Sequence, residues 1–132
     1  MPPSAPPEFI ADRCLGRRTV TQLRDLGWRV LHLSDVYPDD GRNVPDEEWI
    51  AAAARNGWAV LTQDERIRYL AAERGALVVG SLPMFCLSNG NLRIADKVWR
   101  FHQSQAATYQ EARSGETAIY AVHEDRIARK WP

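Results

Sequence analysis

The run Ala59-Val-Leu-Thr-Gln-Asp64 constrains this chain more than any other stretch. It is a short apolar segment that ends in a carboxylate just before a helical pattern. A parallel strand buried on both faces reads this way, with apolar residues through the sheet and a polar residue where the chain emerges. Phe9-Ile-Ala-Asp12 repeats the form: apolar, then Asp, then a helical pattern. Two strands that each deliver an aspartate to the same edge of a sheet make a candidate cation site. The plainer reading is that Asp12 and Asp64 cap the helices that follow them.

The pattern between and beyond these strands alternates. Phe9–Asp12 is followed by a helix over Arg17–Leu26, with Val20, Leu23 and Leu26 inward. Gly27 ends that helix, and Trp28–Ser34 is the second strand. The segment Asp35–Val44 is rich in turn formers and reads as a functional loop that flanks the site. Pro45–Asn56 is the clearest helix, with acids in its first turn, Arg55 in its last and Gly57 as its stop. Trp58–Asp64 is strand three, Glu65–Arg74 a helix, and Phe85–Ser88 strand four, since Pro83 argues against a longer one. After a turn at Ser88–Asn91 with an Asn cap, Leu92–Arg113 reads as one long amphipathic helix. A hairpin of Thr117–Val122 and Arg126–Lys130 closes the chain.

This β-α-β order indicates an α/β fold with a central, mainly parallel four-stranded sheet. A strand order 2-1-3-4 places strands one and three together at the topological switch point, where ligands bind beyond the strands' carboxyl ends. Residues 1–8, with six of the first seven being Pro or small residues, read as a flexible Pro-rich tail, and 9–132 as one domain.

Hard divalent cations such as Mg²⁺ or Mn²⁺ take carboxylate oxygens. Asp12 and Asp64 form a minimal cradle, and a third acid from the Asp46-Glu47-Glu48 helix start completes it. Such a site suits phosphodiester hydrolysis. Singly, the helix-start acids need no more than the helix dipole to explain them. The formal net charge is zero, yet fifteen of the seventeen basic residues are Arg. Arg suits bidentate phosphate recognition, although a G- and C-rich genome gives the same bias. Arg13, Arg17 and Arg18 follow Asp12, and Arg66 and Arg68 follow Asp64, so five guanidinium groups would rim one cleft.

Four segments together resemble the PIN-like domain family: Phe9-Ile-Ala-Asp12-Arg13-Cys14-Leu15-Gly16, His32-Leu-Ser-Asp35, Pro45-Asp46-Glu47-Glu48-Trp49 and Leu61-Thr62-Gln63-Asp64. The resemblance is closest to the VapC-type toxins of toxin–antitoxin pairs. It implies a three-layer PIN-like fold, a Mg²⁺- or Mn²⁺-dependent ribonuclease acting on RNA, and a cognate antitoxin that occludes the site. By position it makes Asp12, Asp46 and Asp64 both catalytic and metal-binding, with Glu47 as an alternate ligand. Arg13, Arg17, Arg66, Arg68, Thr62 and Asn89 become substrate-binding candidates. Two positions depart from the pattern. Arg66 stands where a fourth acid is common, and Cys14 where Asn is expected. The first departure motivates a rival reading, an interaction module of the same fold without catalysis.

Other features carry less. Cys14 and Cys86 read as free thiols, with no zinc spacing. His32, His102 and His123 show no shared ligand pattern. Trp28, Trp49, Trp58 and Trp99 read as core or core edge, with Trp131 open. An Ala-rich face over Glu48–Arg55 is compatible with a homodimer. No apolar segment is long enough to span a membrane and no secretory signal opens the chain, so the expected location is cytoplasmic. The absence of a Gly-rich phosphate loop ranks a phosphate-binding or phosphatase domain last.

Overall fold

A computed structural model describes residues 5–66, 83–89 and 91–132. The strands are β1 (Glu8–Ala11), β2 (Arg29–His32), β3 (Ala59–Thr62), β4 (Pro83–Leu87), β5 (Ala118–Val122) and β6 (Ile127–Trp131). They form one sheet in the order β2-β1-β3-β4-β5-β6. The first five are mutually parallel and only β6 is antiparallel. Helices α1 (Arg17–Asp25), α2 (Asp46–Asn56), α3 (Ile94–Gln103) and α4 (Gln105–Ser114) cover it.

The expected order 2-1-3-4 is present, but the four-stranded sheet with a separate hairpin is corrected to six continuous strands. All five residues of β5 are buried, and they pair in register with β4 from Pro83↔Ala118 to Leu87↔Val122. A strand so apolar is stable only inside the sheet. Pro83 opens β4 rather than interrupting it, as the first residue of a strand needs no ladder N–H.

Other boundaries shift for local reasons. The long helix of residues 92–113 is two helices, because Ser104 sits at φ −95°, ψ 13° between α3 and α4. The expected Asn cap is not used; Arg93 occupies the N-cap without a side-chain bond. Leu26 is half exposed rather than inward. β1 begins at Glu8, one residue before the expected start, and Glu8 bridges Arg29 and the Trp58 indole N–H. The expected helix over 65–74 lies, from residue 67 on, outside the described residues.

Two cores flank the sheet and make three layers. Phe9, Leu61 and Phe85 face α1, α3 and α4, meeting Val20, Leu23, Val98 and Phe101. Ile10, Val60 and Met84 face α2, meeting Trp49, Ile50 and Ala53. Adjacent strand residues point to opposite faces, so the continuous apolar runs fill both cores. Each fully buried large side chain contributes roughly 1.5–3 kcal/mol of transfer free energy.

Candidate active site

Because β1 and β3 are parallel neighbours, both release their chains at the same sheet end. Asp12 follows β1 and its N–H donates to the Leu61 carbonyl at 2.9 Å, which fixes it beside β3. A cavity of about 280 Å³ opens there, and Asp12, Asp46 and Asp64 all line it. Arg13, Arg42 and Arg66 line it as well, so three aspartates and three arginines share one cavity.

The three acids differ in how they are held. Asp12 is buried, and its Oδ2 accepts from the Thr62 hydroxyl at 2.9 Å and from the Cys14 thiol at 3.1 Å. Burial raises its pKa above the ordinary carboxylate value, against those two hydrogen bonds, and the charge of Asp46 adds to the rise. Asp12 also stands at the N-cap of the 3-10 turn Arg13–Leu15, where the Cys14 backbone works with those bonds to lower its pKa. Asp46 opens α2 and accepts from the Trp49 indole N–H at 3.0 Å. The buried Trp49 thereby anchors it. Asp64 turns both oxygens to Arg66, with guanidinium contacts of 3.2 Å and 3.2 Å, and its Oδ1 also accepts the Arg66 backbone N–H at 3.0 Å. For Asp64 the local-turn reading therefore describes part of its bonding.

Thr62 ties two of the acids together. Its buried hydroxyl donates to Asp12 and accepts the Asp64 N–H at 3.0 Å. Thr62, a substrate-binding candidate by sequence, is not among the lining residues; it holds Asp12 and the Asp64 backbone. Cys14 lines the cavity but its thiol pKa is pushed up to about 12, by burial first and then by the Asp12 charge. The residue itself is exposed, and its thiol donates to the Asp12 carboxylate. Cys86 is the buried thiol, and both cysteines are free.

The loop 35–44 reaches the site as expected. His32 and Asp35 form a reciprocal capping box that starts a 3-10 turn over Leu33–Asp35. A second 3-10 turn, Pro38–Gly41, carries Asp39 and Asp40 at positive φ, which short polar side chains tolerate. Gly41 then passes close to Leu33, where an added Cβ would lie 3.1 Å from the Leu33 Cβ. That approach brings Gly41, Arg42 and Val44 to the cavity wall. Arg42 was not foreseen, because its distance in sequence from both strand ends hides its position. Arg17 instead pairs with Asp40. Glu47 and Asn89 are not among the lining residues, and Asn89 accepts the Asn91 N–H in a turn. Arg68 lies outside the described residues.

The donor chemistry fits a hard divalent cation, since oxygen ligands from three carboxylates share one cavity. Their present arrangement is not a closed ligand set. Among the described residues no three His, Cys, Asp or Glu side chains converge tightly enough to hold a metal ion by themselves. Asp64 pairs instead with Arg66, a weak pair energetically, as the Arg66 side chain is 93% exposed.

Comparison with protein-family models matches residues 7–89 to a PIN like domain. Comparisons with curated proteins and with solved structures found no match. The matched span contains β1 to β4 and every wall of the acidic cavity, and it covers more than half of the chain. The chain belongs to the PIN-like domain family.

Proposed function

We propose that this PIN-like domain is a metal-dependent ribonuclease that hydrolyses RNA phosphodiester bonds. The observation that carries the reading is the gathering of Asp12, Asp46 and Asp64 in one cavity with Arg13, Arg42 and Arg66. Asp12, Asp46 and Asp64 would hold Mg²⁺ or Mn²⁺, with Glu47 as the alternate on the same helix turn. A cation bound there supplies Lewis acidity toward the phosphate and lowers the pKa of water. The chain's own residues do the rest. Thr62 and Cys14 keep Asp12 oriented, and Trp49 keeps Asp46 oriented. The guanidinium groups of Arg13 and Arg42 pair with phosphate oxygens and fix the strand. Arg66 exchanges Asp64 for a phosphate, which frees both Asp64 oxygens. Water adds across the P–O bond, leaving a phosphate on one fragment and a hydroxyl on the other.

The VapC-type resemblance extends this reading to the toxin of a toxin–antitoxin pair in the cytoplasm, with the antitoxin covering the cavity. Cleavage of single-stranded RNA by the purified chain with Mn²⁺ tests it. Activity lost in both Asp12→Asn and Asp64→Asn supports the assignment, and activity retained in both contradicts it. A second reading, a catalytically silent interaction module, draws on one observation. Arg66 occupies Asp64 where a further acid would strengthen the site. Retained RNA binding without cleavage under any divalent metal favours that module.

A further inference from the structure

Trp99 departs most sharply from its expected core role. Its side chain is 59% exposed, the most open large apolar residue among the described ones. It lines a groove of about 190 Å³ with Leu92, Asp96, Arg100 and Glu124. We infer that this groove is a nucleobase subsite, which stacks one unpaired RNA base on Trp99 and selects bases that carry an exocyclic amino group. The inference rests on the ribonuclease reading and assigns a substrate preference to it.

Location is the first argument. The Arg100 guanidinium donates to the Ser88 hydroxyl at 3.0 Å, and Ser88 is the residue immediately after β4. Glu124 lies in the turn after β5. Since β1, β3, β4 and β5 are parallel, the groove opens at the same sheet end as the acidic cavity. β3 and β5 are two strands apart, about 10 Å at ordinary strand spacing. One strand of RNA can therefore span the acidic cavity and the groove along this edge.

Chemistry is the second argument. An exposed indole beside a guanidinium is a stacking platform for any base. Two carboxylates against one guanidinium make the groove unfavourable for a phosphate, so a base and not the backbone belongs there. Asp96 and Glu124 offer only acceptors. They match the amino groups of guanine, cytosine or adenine, and a base released from pairing presents those groups on its open edge. Uracil has no amino group and offers only its ring N3–H. Arg100 is held by Ser88, so its position does not have to be organised on binding.

The test uses the full chain without divalent metal and two fluorescent single-stranded RNA probes. One is all uridine and the other has a single guanosine in the same background. The guanosine probe is expected to bind more tightly. Trp99→Ala weakens its binding about tenfold or more, as loss of one stacked base does. Trp99→Phe restores most of the affinity, and Glu124→Gln reduces the preference for guanosine over uridine. Equal binding of both probes, or Trp99→Ala binding equal to wild type, overturns the subsite. A change of oligomeric state in Trp99→Ala with unchanged RNA affinity assigns the face to a second copy and overturns it too. Cleavage with Mn²⁺ is measured in parallel. Wild-type cleavage with KM unchanged in Trp99→Ala rejects the subsite alone, whereas no binding and no cleavage rejects the ribonuclease reading with it.

Discussion

Two cavities lie at opposite ends of strands β1, β2 and β3. The larger, about 380 Å³, opens at their amino ends among Glu8, Trp28, Arg29 and Trp58. The smaller opens at the carboxyl ends among three aspartates and three arginines. Size does not separate them; the state of their charges does. At the amino end Glu8 is bonded to both Arg29 and Trp58, and Arg24 to the Val30 carbonyl and to Asp35. These groups satisfy one another on an apolar wall. At the carboxyl end Asp12 is buried against its own charge, and Arg13 and Arg42 line the wall beside it. Parallel strands create this contrast, because every strand exits on the same side and the loops there bring polar groups together.

The largest expected effects break the contrast at its polar end. Asp12→Asn and Asp64→Asn should each lower kcat for RNA cleavage by more than about 100-fold, as loss of a group stabilising transition-state charge does. Steady-state cleavage of a labelled oligonucleotide checks this. At the amino end the expected damage is to stability instead. Trp28 packs on Phe9, Phe101 and Tyr109 and donates to His102 at 3.1 Å. Trp28→Ala should therefore cost about 3–5 kcal/mol in urea unfolding. Its kcat should stay near wild type at temperatures where the variant is folded.

Thr62→Val sits between these extremes. It removes one buried hydrogen bond to Asp12 and one from the Asp64 N–H, at a cost of about 1–3 kcal/mol. The Thr62 bond lowers the Asp12 pKa, so its loss raises that pKa further. The acid limb of the pH–rate profile should move to higher pH in this variant. A limb that stays in place would separate Thr62 from the chemistry.

Asp12 also fixes a sign for pH and metal together. Its pKa is raised in the folded chain, so the folded state holds the proton more strongly than the unfolded state. Without metal, this contribution to stability is fully present below the unfolded carboxylate value and is lost as pH rises through the raised value. A cation needs the ionised carboxylate, so stabilisation by Mn²⁺ should grow over that same rise. Melting curves across the window, with and without Mn²⁺, should diverge as pH increases. The smallest effect belongs to the amino end. Glu8→Gln breaks a half-exposed ion pair and should change stability by no more than about 1 kcal/mol, with no change in the pH–rate profile.

Much of this contrast was legible in the residues. The runs Phe9–Asp12 and Ala59–Asp64 announce parallel strands and their polar ends, because strands buried on both faces read as short continuous apolar runs. The acids of α2 could be read from position, and Pro45, Arg55 and Gly57 mark the helix ends. Arg42 and Gly41 could not be read, as a close approach between Gly41 and Leu33 brings them in. Nor could the roles within the acid set. Thr62 and Cys14 bind Asp12 through tertiary geometry, and Arg66 takes both oxygens of Asp64. Trp99 was misplaced because an indole in an amphipathic helix has the same apolar signature whether it faces the core or a groove. The sheet was underestimated because β5 follows a helix pair and reads as a hairpin arm, although its five residues are all buried.

The most direct measurement is a thermal melt of wild type and Asp64→Asn, each with and without Mn²⁺, at a pH where Asp12 is ionised. The account predicts that Mn²⁺ raises the Tm of wild type and leaves Asp64→Asn unchanged. Equal Tm values with and without Mn²⁺ for wild type, or the same rise in both proteins, would contradict a metal centre built on Asp12, Asp46 and Asp64.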